Sequence, residues 1–259
     1  MEVIDTHVHL DLDVFDADRP AVLDRARAAG VREMVLPGVT RGGWTDIAAL
    51  ARRHRGLHVA YGLHPLFVDR HDDGDLAALD AWLDAHPGAV AVGEIGLDGH
   101  VPGLDWQRQW QLYTGQLAIA RSHGLPVIIH SRRAVDQVLK GLRQHPGVDG
   151  ILHSFAGSAQ QARQALELGF CLGFGGPVTY PRARRLRQLV QDLPETALVA
   201  ETDAPDQPLA GHQGERNEPA HTAEVVRVMA RLRDIDASRM AIITTANARR
   251  VLRLPGSPD

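Results

Sequence analysis

The chain holds one cysteine in 259 residues, few aromatics at 5%, and no early apolar run approaching the length of a membrane span. The lone thiol, Cys171, cannot close an internal disulfide, and its setting in Gly169-Phe170-Cys171-Leu172-Gly173 reads as a small core position. Lysine is nearly missing as well: Lys140 is the single lysine among 28 cationic residues, and it falls in a helical pattern. The first residues carry neither a basic leader nor a signal-peptide core, which makes the cytoplasm the expected location. A formal net charge of −4 offers no general attraction to nucleic acid, so any such contact must rest on a local basic surface. What is present is 44% hydrophobic and 23% charged residues, the balance of a globular protein with a sizeable core. The length suits one α/β barrel domain over residues 1–259.

Short β-rich runs alternate with longer amphipathic stretches throughout, the pattern of repeated βα units. Eight strands are expected, at residues 3–10, 31–39, 57–63, 89–96, 126–131, 150–154, 171–175 and 197–202. Helical segments lie between them, at 19–29, 44–54, 75–85, 106–123, 134–145, 159–168 and 181–191, and two more follow at 220–233 and 238–252. Eight such units predict a closed (β/α)8 barrel, whose active site gathers at the carboxyl-terminal strand ends. The loop at 204–219, rich in Pro, Gly and polar residues, then lies on the catalytic face and is long enough to be functional or mobile.

Those strand ends carry one kind of chemistry. The first runs into His7 and His9, two imidazoles with strand parity on one face. The fourth ends in Gly93-Glu94-Ile95-Gly96-Leu97-Asp98, the fifth in His130, the sixth in His153 and the eighth in Glu201-Thr202-Asp203. Four histidines and two carboxylates exceed the needs of one ion and suit two divalent ions about 3.5–4 Å apart, with Glu94 as the bridge. Mixed imidazole and carboxylate donors favour Zn, Mn, Fe or Ni over Mg. Glu201 shares the parity of Asp203 one layer deeper, so it is expected to orient a histidine rather than ligate.

The segments Asp5-Thr6-His7-Val8-His9, Gly62-Leu63-His64-Pro65, Gly93-Glu94-Ile95-Gly96-Leu97-Asp98, Ile129-His130-Ser131-Arg132, His153-Ser154-Phe155 and Glu201-Thr202-Asp203-Ala204-Pro205 together resemble the motifs of the TatD-family metal-dependent hydrolases, in the family's order and over nearly the whole chain. The resemblance implies a TIM-barrel metallohydrolase, often a deoxyribonuclease, with ligands at His7, His9, Glu94, His130, His153 and Asp203. The stretch from Gly175 to Ala183 and the loop from Asp206 to Pro219 are similar to a less characterised branch. Within that frame His64, Arg132, Arg216 and Asn217 are the expected substrate contacts, with His64 alternatively standing behind the ligands. The Arg182-Ala183-Arg184-Arg185-Leu186-Arg187 cluster reads as a solvated helix face. His54, His58, His71, His86, His123, His145, His212 and His221 read as surface residues or helix caps.

The expected reaction is phosphodiester hydrolysis at a strand end, as in a 3'-end exonuclease on single-stranded DNA or short oligonucleotides, with Glu94 and Asp203 as catalytic carboxylates and Asp203 taking the proton of the attacking water. DNA is then a transient partner, and neither a membrane nor an obligate protein partner is expected. A second enzyme reading is carboxylate-bridged hydrolysis of an ester or amide, including an aminoacyl ester. The lysine-bridged form of that chemistry is excluded, because Glu94 holds the end of the fourth strand and the only lysine, Lys140, falls in a helix. A third reading, a metal-loaded scaffold without turnover, is weakened by the presence of both Glu94 and Asp203.

Overall fold

The computed structural model describes residues 1–254; residues 255–259 of the expected 1–259 unit lie outside the described residues. Its strands are β1 (Val3–Asp5), β2 (Val31–Pro37), β3 (Leu57–Tyr61), β4 (Ala91–Asp98), β5 (Val127–Arg132), β6 (Gly150–Leu152), β7 (Phe170–Phe174) and β8 (Leu198–Ala200). Each pairs in parallel with the next, in the order β1 to β8, giving a nearly closed (β/α)8 TIM barrel. The helices are α1 (Arg19–Ala29), α2 (Trp44–Arg53), α3 (Asp75–Ala85), α4 (Trp106–Ser122), α5 (Val135–Gln144), α6 (Ala159–Glu167), α7 (Arg184–Asp192), α8 (Thr222–Arg233) and α9 (Ala237–Leu252). No described helix is long and apolar enough to cross a membrane.

The strands are apolar on both faces because both are covered. Inside the barrel, Ile4, Val35, Ala60, Ala91, Ile128, Ile151, Cys171 and Val199 contribute one side chain per strand to a buried layer, and Ala248, Val251 and Leu252 of α9 pack against it. The last helix therefore plugs the amino-terminal end. Two residues farther along each strand the same inward parity changes character: Ile128 gives way to His130, Ile151 to His153 and Val199 to Glu201, while Ala60 and Cys171 give way to Gly62 and Gly173. Polar groups with room around them thus form the floor above an apolar plug.

The barrel closes by a different means. β1 ends at Asp5, earlier than the expected 3–10 strand, because the Asp5 carboxylate accepts a bond from His7 N at 3.2 Å and turns the chain out of the ladder. Irregular backbone then spans the seam, with Thr6 N to Ala200 O at 3.1 Å, Asp203 N to His7 O at 2.9 Å and His9 N to Ala204 O at 2.8 Å. The same fully buried carboxylate accepts from Thr202 N at 3.0 Å, Thr202 Oγ1 at 2.6 Å and Thr222 Oγ1 at 2.8 Å. Burial pushes its carboxyl up to about 7 against the pull of these donors. One side chain so joins β1, the segment after β8 and α8.

Replacing Asp5 with Ala strands three buried donors at once, His7 N, Thr202 N and Thr202 Oγ1, while the Thr222 hydroxyl keeps Pro219 O at 2.8 Å. Asp5→Ala should lower stability by about 3 kcal/mol or more, read as a fall in the urea midpoint of the metal-free protein. Thr222→Ala, which removes one donor, should cost about 1 kcal/mol. An unchanged midpoint for Asp5→Ala would assign closure to the backbone bonds alone.

Candidate metal centre

Glu94 is the centre of the floor. It is 2% exposed, and its two carboxylate oxygens face different histidines. Oε2 lies 3.1 Å from His7 Nε2 and 3.5 Å from His9 Nε2. Oε1 lies 2.8 Å from His153 Nε2, 3.2 Å from His130 Nδ1 and 2.9 Å from His64 Nε2. Asp203 completes the first side, with Oδ1 at 3.5 Å from His7 Nε2 and 3.6 Å from His9 Nε2. The structure therefore brings His7, His9, Glu94, His130, His153 and Asp203 together.

Local structure explains each placement. A Cβ on Gly62 would meet Gly93 C at 2.6 Å and Glu94 N at 2.9 Å, so only a glycine lets β3 stand this close to the Glu94 backbone. Asp203 (φ 57°), Ser154 (φ 45°) and Gln207 (φ 54°) all adopt the left-handed conformation, which costs roughly 1–2 kcal/mol per non-glycine residue. Such strain persists where the surroundings over-determine it, commonly at functional sites. Here Ser154 Oγ donates to Gln207 Oε1 at 2.9 Å, and Gln207 Nε2 donates to Asp203 Oδ2, leaving Oδ1 toward the histidines.

Helix α4 steadies the other side. Its buried Gln116 grips Leu63 by both backbone groups, accepting from Leu63 N at 2.7 Å and donating to Leu63 O at 3.1 Å. Seven residues earlier Gln109 does the same to Asp98, at 2.8 and 3.2 Å. These clamps fix His64 and Asp98. His64 Nδ1 accepts from Leu66 N at 3.1 Å, so a neutral ring carries its proton on Nε2 and donates it to Glu94. His64 is thus a restraint on Glu94 and offers no free lone pair to a metal. Asp98 Oδ2 sits 2.8 Å from His130 Nε2, which fixes the ring and turns Nδ1 toward Glu94.

The electrostatics follow from this packing. Burial opposes ionisation of Glu94, but the surrounding rings of His64, His153 and His7 and the hydrogen bond from His130 outweigh it and hold the carboxyl well below its usual range. Burial likewise opposes charge on His9, yet Glu94 and Asp203 raise it to about 9. Burial lifts Asp203 to about 6. Burial opposes a charge on Asp98 too, and the bonds from His130 and from Val101 N and His100 N reverse that and lower it. His7 Nε2 and His9 Nε2 approach to 3.2 Å, both aimed at carboxylate oxygens. Convergent nitrogen lone pairs and carboxylates in a buried space call for a cation, and this donor set fits divalent metal.

Of the expected substrate contacts, His64 and Arg132 line a cavity of about 1100 Å³ above the floor. Arg216 and Asn217 do not, and their assignment is corrected. Arg216 is spent on Asp18, with Nη1–Oδ1 at 2.8 Å and Nη2–Oδ2 at 2.7 Å, and lies over the Phe15 ring. Asn217 is fully buried, its amide donating to Thr202 O, Asp206 O and Gln207 O, and so it shapes the long loop from beneath. Glu201 accepts from Ser154 N and stands 3.7 Å from His153 Nδ1, a charge behind that ring. Asp98, Gln109, Gln116 and Gln207 carry site geometry that sequence reasoning missed. Asp98 shares the parity of Glu94, and the glutamines recur at a seven-residue step on a buried helix face, so both left a trace. Gln207 left none.

Glu201 fits only because β7 has a glycine opposite: a Cβ on Gly173 would stand 2.2 Å from Glu201 Oε2. Gly173→Ala should displace this carboxylate and weaken divalent-cation binding by about 10–100-fold with the fold retained. Calorimetric titration with Zn²⁺ or Mn²⁺, beside a circular dichroism spectrum, measures this. Unaltered affinity would remove Glu201 from support of the centre.

Comparison with known proteins agrees with this geometry. The family described as TatD related DNase matches residues 4–253. The uncharacterized metal-dependent hydrolase YjjV of Escherichia coli K12 is 40% identical over 254 residues, covering 97% of this chain and 98% of that protein. Its crystal structure superposes with a TM-score of 0.94 over 98% of each chain, at 39% identity. A protein of Cronobacter sakazakii named 3'-5' ssDNA/RNA exonuclease TatD is 33% identical over 265 residues, covering 99% of this chain and 100% of that one.

Proposed function

Because the chain belongs to the TatD-related DNase family and is a metal-dependent hydrolase, we propose that it cleaves phosphodiesters at the end of a single strand of DNA or of a short oligonucleotide. The observation that carries this reading is the division of Glu94, one oxygen toward His7 and His9 and the other toward His130 and His153, at the floor of a cavity edged by Arg132. The Cronobacter relative's name supports a nucleic-acid end as the substrate.

In this reading His7, His9, Asp203 and Glu94 would hold one divalent ion, and His130, His153 and Glu94 would hold a second. Bound there, the ions supply Lewis acidity toward a phosphoryl oxygen and lower the pKa of water. The chain's own residues do the rest. Asp203, whose Oδ1 faces His7 and His9, accepts the proton of the attacking water. Gln207 keeps its second oxygen occupied, so the proton is received at a defined atom. Arg132 is exposed at the end of β5 and presents a planar donor fork to the phosphoryl oxygens. His64 and Asp98 hold Glu94 and His130 while charge shifts around them.

Protein purified without chelator should carry up to two transition-metal ions per chain, and chelation should abolish activity on a chromogenic phosphodiester and on single-stranded DNA. Glu94→Ala should empty both positions, whereas His130→Ala should empty the one it shares with His153; equal losses would sink the bridging role. Asp203→Asn, compared at full metal occupancy, should lower kcat by about 10²-fold or more with KM changed far less. An enzyme that hydrolyses carboxyl esters and no diester under any metal would overturn the proposal.

A further inference from the structure

The cavity is larger than the metal floor requires, and its far wall is cationic. It runs from His9 and Glu94 across the ends of β5, β6 and β7, where Arg132, Arg133 and Arg185 line it. Among the described residues the guanidinium groups of Arg132 and Arg133 enter no ion pair or hydrogen bond, although many arginines elsewhere in this chain are paired with carboxylates. Arg133 also adopts the left-handed conformation, at φ 52°. Six described non-glycine residues have positive φ; Asp234 and Arg253 end helices, and the other four, Arg133, Ser154, Asp203 and Gln207, all line this cavity.

Arg185 departs from the cluster to which it belongs in sequence. Arg182 lies against the Tyr180 ring at 5.3 Å, and Arg187 Nη1 donates to Val178 O at 3.1 Å. Arg185 instead reaches back to the loop after β6, donating from Nη2 to Ala156 O at 2.7 Å. That bond orients the side chain along the wall and leaves most of its five N–H donors free. Two further carboxylates line the cavity, Asp136, which accepts from Gln161 Nε2 at 2.8 Å, and Asp206 in the loop after β8, and neither forms an ion pair with these three arginines.

We propose that Arg133 and Arg185 form a subsite for a second backbone phosphate, next to the diester held over the floor, so that the preferred substrate is a strand with at least two phosphates. This rests on the phosphodiesterase reading. A chain of net charge −4 gains little from long-range attraction, so free guanidinium groups on one wall are where a polyanionic strand would be distinguished from a small monoester or diester.

The test compares three substrates with the metal-loaded enzyme: a chromogenic diester and the dinucleotide TpT, each with one phosphate, and the trinucleotide TpTpT, with two. The wild type should show kcat/KM for TpTpT about tenfold or more above that for TpT. In the double variant Arg133→Gln/Arg185→Gln that advantage should fall to about twofold or less, a larger drop than on either one-phosphate substrate. The salt dependence of log kcat/KM for TpTpT should flatten by about 0.7, the value for one single-strand phosphate contact. If the wild type hydrolyses the chromogenic diester but gains nothing from the second phosphate, or if the variant keeps the gain, the subsite is overturned and the function stands. If no diester is hydrolysed with any metal, both fall.

Discussion

A single ionised carboxylate in a dry place governs the architecture of this site. An isolated buried carboxylate is expensive and is tolerated when paired. Glu94 is surrounded by ring nitrogens of five histidines at 2.8–3.5 Å, drawn from the segments after β1 and β3, from β5 and from the segment after β6. No two consecutive elements could supply that set. The barrel supplies it because every strand end arrives at the same rim, and because Gly62 and Gly173 give up side chains so that Glu94 and Glu201 have space.

Around that core two rings and a carboxylate are fixed by separate devices. His130 is held by Asp98, His64 by the Leu66 amide, and Asp203 by Gln207 and Ser154. α4 reaches two of these through its paired glutamines, and Asp5 sets the seam on which His7 and Asp203 meet. The rigidity of the site is therefore distributed over α4, α8 and the last loop, and is independent of the helices' surface composition.

The eight strands and the six converging donors were legible because each is encoded locally, an apolar run followed by a polar residue of matching parity. What escaped was long-range. The first strand was read through Leu10, since nothing within residues 3–10 reveals that Asp5 will be captured by Thr202 and Thr222. Arg216 and Asn217 look like rim residues by position alone; the partners that withdraw them are Asp18 for the one and three carbonyls of the same loop for the other. Arg185 was submerged in a run of arginines whose other members face elsewhere, and Gln207 gained meaning only when a left-handed turn aimed it at Asp203.

The closure at the seam also sets a timetable for the nascent polypeptide. His7 and His9 are made early, whereas Asp203, the Thr222 that anchors Asp5 and the α9 residues that plug the barrel are made much later. At usual elongation rates the interval is about 10–40 s. Throughout it His7 and His9 lack Asp203, and contacts so remote in sequence form late. The two sides of the seam are consequently joined late, because the carboxylate and threonines that close it are supplied by opposite ends of the chain.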